Sequence, residues 1–201
     1  MRLRYTIIGL ILLLSSCMST NKFIGMGGAN GTKEDLPVGI EVLIEMAEYC
    51  ERIYDEGKEI EGDEFAYNVV QDRGVTIISI RGTDNAKNVL TDLDARPFQD
   101  RKLGVQVHRG FRDASEKLKN DIIENVPLEE NIILTGHSLG GAIAQILGLW
   151  FEDDAYEVQI YTFGSPSVMI EQMWEDGHFR VYLENDPVPF LPPFPLSLIH
   201  I

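Results

Sequence analysis

From Val38 to Tyr54 the apolar residues Ile40, Leu43, Ile44, Ala47 and Ile53 recur at helical spacing, which predicts an amphipathic first helix. The period then changes. Between Glu64 and Gln71 the residues Phe65, Tyr67 and Val69 alternate with others, as in a strand with one buried face. Val75 to Ile80 is a short, largely β-branched run closed by Arg81-Gly82, the pattern of a buried central strand. A helix is expected over Gly110 to Val126 and a strand over Ile132 to Thr135. Val158 to Phe163 and Phe179 to Leu183 are two further strands, each followed by a loop rich in Gly, Ser, Asp or Pro. Strands alternating with helices predict an α/β fold with a mostly parallel central sheet flanked by helices. Its site should lie beyond the carboxyl edge of that sheet.

The strand Ile132 to Thr135 leads into Gly136-His137-Ser138-Leu139-Gly140, and small residues follow it. Strand, tight turn and helix in this order lift the Ser138 hydroxyl clear of both flanking elements, and the glycines leave room for a strained backbone. The Leu139 N–H then opens a helix, where a developing oxyanion can be held. The spacing G-x-S-x-G by itself also occurs by chance in ordinary turns. Here Gly140, Gly141, Ala142 and Ala144 let the helix sit close on a sheet, while Ile143, Ile146, Leu147 and Trp150 carry its apolar period.

The ends of the sequence add a location. Arg2 and Arg4 precede an apolar stretch from Ile7 to Leu14, then Leu14-Ser15-Ser16-Cys17. The charged start and short apolar centre predict a signal peptide over residues 1–16, since a spanning helix needs about 20 apolar residues. The last four of these residues resemble the bacterial lipoprotein cleavage box, which predicts a lipidated Cys17; a plain secretory signal is the alternative. Residues 17–36 then read as the lipidated cysteine with a flexible Gly- and Ser-containing tether, and 37–201 as one domain. Cys50 is the only other cysteine, so lipidation of Cys17 leaves no internal disulfide. No metal-ligand spacing is present, and neither a metal nor another cofactor is expected. The net charge of −15 argues against nucleic acid and against electrostatic adhesion to anionic lipid. Attachment to a membrane of the cell envelope is therefore expected through the lipid anchor, and the protein is expected to be a monomer.

A serine hydroxyl needs a base, usually a histidine held in one tautomer by a carboxylate. Downstream of Ser138, Asp186 is the best-placed acid. It follows the Phe179–Leu183 strand and precedes the stiff Pro187-Val188-Pro189 segment, although Asn-Asp-Pro is also an ordinary surface turn. Only His178 and His200 follow the serine. His178 precedes its strand and so belongs to the amino-terminal edge; His200 can return if the segment after Pro192-Pro193 loops over the top. Thr83, at the exit of the central strand, is the candidate second oxyanion donor, set against a simple strand-exit turn. Ala86, Val89, Leu90 and Leu93 follow at i, i+3, i+4 and i+7, as either a lid or a helix packed on the core. His108 and His137 precede the serine and are read as structural or site-lining.

These motifs together carry a resemblance. Arg81-Gly82-Thr83, Asn88 to Leu93, Val107-His108-Arg109-Gly110-Phe111, Gly136-His137-Ser138-Leu139-Gly140-Gly141, Tyr161-Thr162-Phe163-Gly164-Ser165-Pro166 and Asn185-Asp186-Pro187-Val188-Pro189 resemble the class 3 lipase family of fungal-lipase-like α/β-hydrolases. The likeness spans roughly residues 38 to 200. It implies that Ser138 is the nucleophile, Asp186 the triad acid, His200 the base, and Thr83 with Leu139 the oxyanion hole. It also implies hydrolysis of carboxylic esters of lipids, as a triacylglycerol lipase or esterase, without a cofactor. Phospholipase A1 action is the nearest alternative. The family's Phe-Gly-x-Pro-Arg-Val motif has Ser167 where the arginine would stand, and members continue past the catalytic histidine. A C-terminally truncated hydrolase, retained as an inactive binding or structural module of the envelope, is therefore the rival reading from another class.

Overall fold

A computed structural model describes residues 39–59, 65–82, 96–169, 177–182 and 188–190. Helix α1, Ile40–Glu56, leads into β1 (Lys58–Glu59), β2 (Ala66–Asp72) and β3 (Val75–Arg81). Next come a short hairpin of β4 (Pro97–Gln99) and β5 (Gln106–His108), helix α2 (Arg109–Asn125), β6 (Asn131–His137) and helix α3 (Leu139–Asp153). Strands β7 (Glu157–Phe163) and β8 (His178–Val181) follow, then a 3-10 turn at Val188–Phe190.

Six strands form one sheet in the order β1-β2-β3-β6-β7-β8, and β4 pairs only with β5. The β1/β2 and β2/β3 pairings are antiparallel, whereas β3, β6, β7 and β8 run parallel. The periodicity of the sequence explains the layers. Along β2 and β3, Tyr67, Ile78 and Ile80 face α2 and α3, while Ile77 faces α1 with Leu43, Met46, Ala47 and Cys50. Helix α3 is apolar on all sides because it is enclosed on all sides, and every residue from Leu139 to Phe151 is buried.

The register decides where the chemistry can sit. Ile80 pairs with Gly136, Gly136 with Thr162, and Thr162 with Arg180. Four parallel strands therefore end together, and the residues that follow them share one edge of the sheet. The β4–β5 hairpin is fastened beside that edge. His108 N donates to Val168 O at 2.8 Å, and Val107 bridges to Met169. At the far end of the hairpin the buried Asp100 carboxylate accepts from the Lys102 and Leu103 amides and from Trp150 Nε1 of α3.

Candidate active site

Ser138 stands between β6 and α3 with φ 54° and ψ −124°. A positive φ on a side-chain-bearing residue costs of order 1–3 kcal/mol and persists only where the surroundings impose it. Here the surroundings do. Ser138 N donates to Phe163 O of β7 at 2.9 Å, and Gly141 N returns to Ser138 O at 3.0 Å. The strand and helix meet so closely that a Cβ on Gly136 would lie 2.4 Å from the Gly140 carbonyl carbon and oxygen. A Cβ on Gly140 would lie 2.1 Å from Ile80 O. The glycines expected to permit the turn therefore sit where no other residue fits.

The Leu139 amide is the first of α3 and has no intrahelical acceptor, so its N–H lies at the positive end of the helix. Gly82, which closes β3, lies against the elbow: its Cβ position is 3.1 Å from Gly140 N and 3.2 Å from Leu139 Cβ. Thr83 is the next residue and lies outside the described residues, as do Asp186, His200, Cys17 and the 86–93 segment.

Two buried histidines flank the elbow. His137 is 4% exposed, and burial holds its ring down to about 4; its Nδ1 has no hydrogen-bond partner among the described residues. His108 is buried, stacks on Phe111 at 4.1 Å and caps α2, with its Nδ1 accepting from Phe111 N at 3.4 Å. His178 lies at the amino-terminal end of β8, as its place in the sequence predicts. Its Nε2 is 3.2 Å from Thr162 Oγ1, and burial, with the Arg180 charge adding to it, holds it down to about 3.

A polar chain behind the elbow was not foreseen from the sequence. Gln145 of α3 donates through Nε2 to Ser165 Oγ at 2.6 Å and to Gly141 O at 3.3 Å. Arg180 of β8 donates through Nη2 to Ser165 O at 2.6 Å and to Pro189 O at 2.8 Å. The available signal was an arginine inside the otherwise apolar Phe179–Tyr182 run. A charge in such a run is retained against its desolvation cost and marks a built-in partner.

With this geometry in view, the comparisons with known proteins are decisive for family. The model of the class 3 lipases matches residues 77–196, more than half of the chain, and includes the elbow and the Asp186 segment. The chain belongs to the class 3 lipase family. A secreted mono- and diacylglycerol lipase of Fusarium solani is 31% identical over 62% of this chain and 41% of its own length. A lipase of Rhizopus oryzae is 30% identical over 70% of this chain and 39% of its own. The chain thus spans under half the length of these two relatives. Among solved structures, the triacylglyceride lipase of Rhizomucor miehei superposes with a TM-score of 0.56. It has 20% identity and covers 75% of this chain and 71% of that one. The lipase–propeptide complex from the same organism gives 0.58, with 19% identity, 90% of this chain and 76% of that one. At such identities the likeness speaks for the fold, which is that of the α/β-hydrolases.

Proposed function

We propose that this protein hydrolyses carboxylic ester bonds of acylglycerols, with Ser138 as nucleophile, His200 as base and Asp186 as the triad acid. The observation that carries this reading is the backbone of Ser138, forced to positive φ at the carboxyl edge of the parallel sheet. In the reaction Ser138 Oγ attacks the acyl carbonyl while His200 takes its proton. The N–H groups of Leu139 and Thr83 stabilise the tetrahedral oxyanion. His200 protonates the departing alcohol, and water activated by the same ring then releases the fatty acid. Thr83 fits its role because Gly82, one residue earlier, already touches the elbow. Asp186 fits because the chain is held at the same edge three residues later, at Pro189. His200 is favoured because the other downstream histidine, His178, is occupied at the opposite end of β8.

The acylglycerol substrate class is suggested by the relatives, one named as a mono- and diacylglycerol lipase. Export of the protein fits both that relative's secretion and the sequence of residues 1–16. Anchoring through lipid on Cys17 rests on Leu14-Ser15-Ser16-Cys17. The full chain is expected to release fatty acid from tributyrin and to be labelled by a fluorophosphonate probe. Ser138→Ala should lose labelling and at least about 10³-fold in kcat/KM. Wild-type protein that is folded yet neither labelled nor active would refute the proposal.

A further inference from the structure

We propose that Arg180 is the positioning residue for the triad acid, tying the Asp186 segment to the loop that backs the nucleophile elbow. The inference rests on the Ser138–His200–Asp186 reading above and adds to it the group that sets where the acid arm starts. The geometry is a clamp. A single nitrogen, Nη2, donates to Ser165 O at 2.6 Å and to Pro189 O at 2.8 Å, one N–H to each carbonyl. Ser165 is in turn joined to the helix that carries the elbow: its hydroxyl accepts from Gln145 at 2.6 Å, and its Cβ lies 2.8 Å from the Cβ position of Gly141. The Phe163 carbonyl, two residues before Ser165, holds the amide of Ser138 itself.

From Pro189 back to Asp186 is three residues, so the Cα bearing the carboxylate lies within about 11 Å of the clamped residue. Pro187 and Pro189 remove much of the freedom in between. Fixing the Pro189 carbonyl therefore restricts the acid at its root. Arg180 is suited to this because, among the described residues, no carboxylate is paired with it. Its Nε is buried with no partner among the described residues, and the acceptors of its Nη2 there are both backbone oxygens. A charged donor bonded to a carbonyl is stronger than a neutral one, which suits a device that must not drift during turnover.

The test is a double-mutant cycle on the full chain with a soluble p-nitrophenyl ester, active sites being counted with the fluorophosphonate probe. Arg180→Met should lower kcat by about 10- to 100-fold, the range of a misplaced catalytic group, with KM changed by less than about threefold. Arg180→Lys, which keeps the charge and several donors, should recover part of the loss. In an Asp186→Asn background Arg180→Met should cost almost nothing further, because the group it positions is already ineffective. An equal loss in both backgrounds would mark Arg180 as general support of the sheet edge and overturn the proposal. So would an Arg180→Met enzyme with wild-type kcat, or a failure of both Arg180 variants to fold. Folded wild-type protein without labelling or turnover is a different result: it removes the triad reading, and this inference with it.

Discussion

A single methyl group at Gly140 should damage both stability and turnover, by amounts that follow from the elbow's geometry. The added Cβ would lie 2.1 Å from Ile80 O, 2.8 Å from Ile80 C and 2.9 Å from Gly82 N. Carbon needs about 3.5 Å to a non-bonded neighbour, so β3 and α3 would have to part by roughly 1 Å. Neither can yield by a rotamer change, because all three neighbours are backbone. Ile80 is also paired on both sides, to Tyr67 of β2 and Gly136 of β6. The cost should reach about 3 kcal/mol, the upper end for overpacking a core. For a chain of this size that corresponds to a fall of about 6–12 °C in Tm. The same parting moves the Leu139 amide relative to Ser138, and a displacement of about 1 Å at reacting groups typically costs about 10²-fold in rate. Scanning calorimetry and ester turnover on Gly140→Ala measure the two together. Gly74→Ala is the control, because Gly74 has φ +78° but nothing within 4 Å of its Cβ position. It should lose only about 1 kcal/mol of backbone strain energy and keep full activity. A Gly140→Ala protein that melts within about 2 °C of wild type, or above Gly74→Ala, would show that the crowding argument is wrong.

Two further outcomes follow from the same edge of the sheet. Ser138→Gly should unfold in urea at higher concentration than Ser138→Ala, by about 1 kcal/mol, because only glycine relieves the strain at φ 54°; equal midpoints would place no strain at the elbow. His137 makes folding pH-dependent. Its folded value of about 4 lies below the unfolded value of about 6.5, so the unfolded chain takes up the proton that the folded chain refuses. Its contribution is fully favourable above about pH 6.5 and declines as pH falls toward 4, amounting to about 1 kcal/mol between pH 7.5 and 5.5. His137→Gln should lower the slope of the stability profile over that interval, leaving the part that the buried His178 contributes, and an unchanged slope would count against a buried neutral ring at 137.

How much of this was legible in the sequence depends on the range over which each feature is encoded. Helix α1, β2, β3, α2, β6, β7 and β8 were all expected, within a few residues at each end, because each is stabilised by burial of a face that its own period displays. The elbow was legible for a similar reason: glycine, serine and glycine at fixed spacing are what a strained strand-to-helix turn requires locally. The β4–β5 hairpin was not foreseen. Its strands have three residues each, the first begins with Pro97, and its anchorage is the Asp100 carboxylate reaching Trp150 fifty residues away. No local pattern reports such a contact. The proposed triad partners Asp186 and His200, the proposed donor Thr83 and the 86–93 segment lie outside the described residues and stand on the sequence and the resemblance.

The clamp at Arg180 shows why motif reading alone leaves a site incomplete. A motif names groups that touch substrate, and those groups must have fixed chemistry. What holds them in register can be any donor that reaches the right carbonyls once the strands are laid side by side. Arg180 reaches Ser165 and Pro189 only because β8 pairs with β7 in a register that puts Arg180 opposite Thr162. Shifting that register by one residue would turn the guanidinium to the α1 face, among Tyr161, Phe163 and Val181, where no carbonyl pair awaits it. The reach of Arg180 to Ser165 and Pro189 is therefore a property of strand pairing, and on the proposed triad the short four-residue β8 is where a change remote from Ser138 should be felt most strongly in kcat.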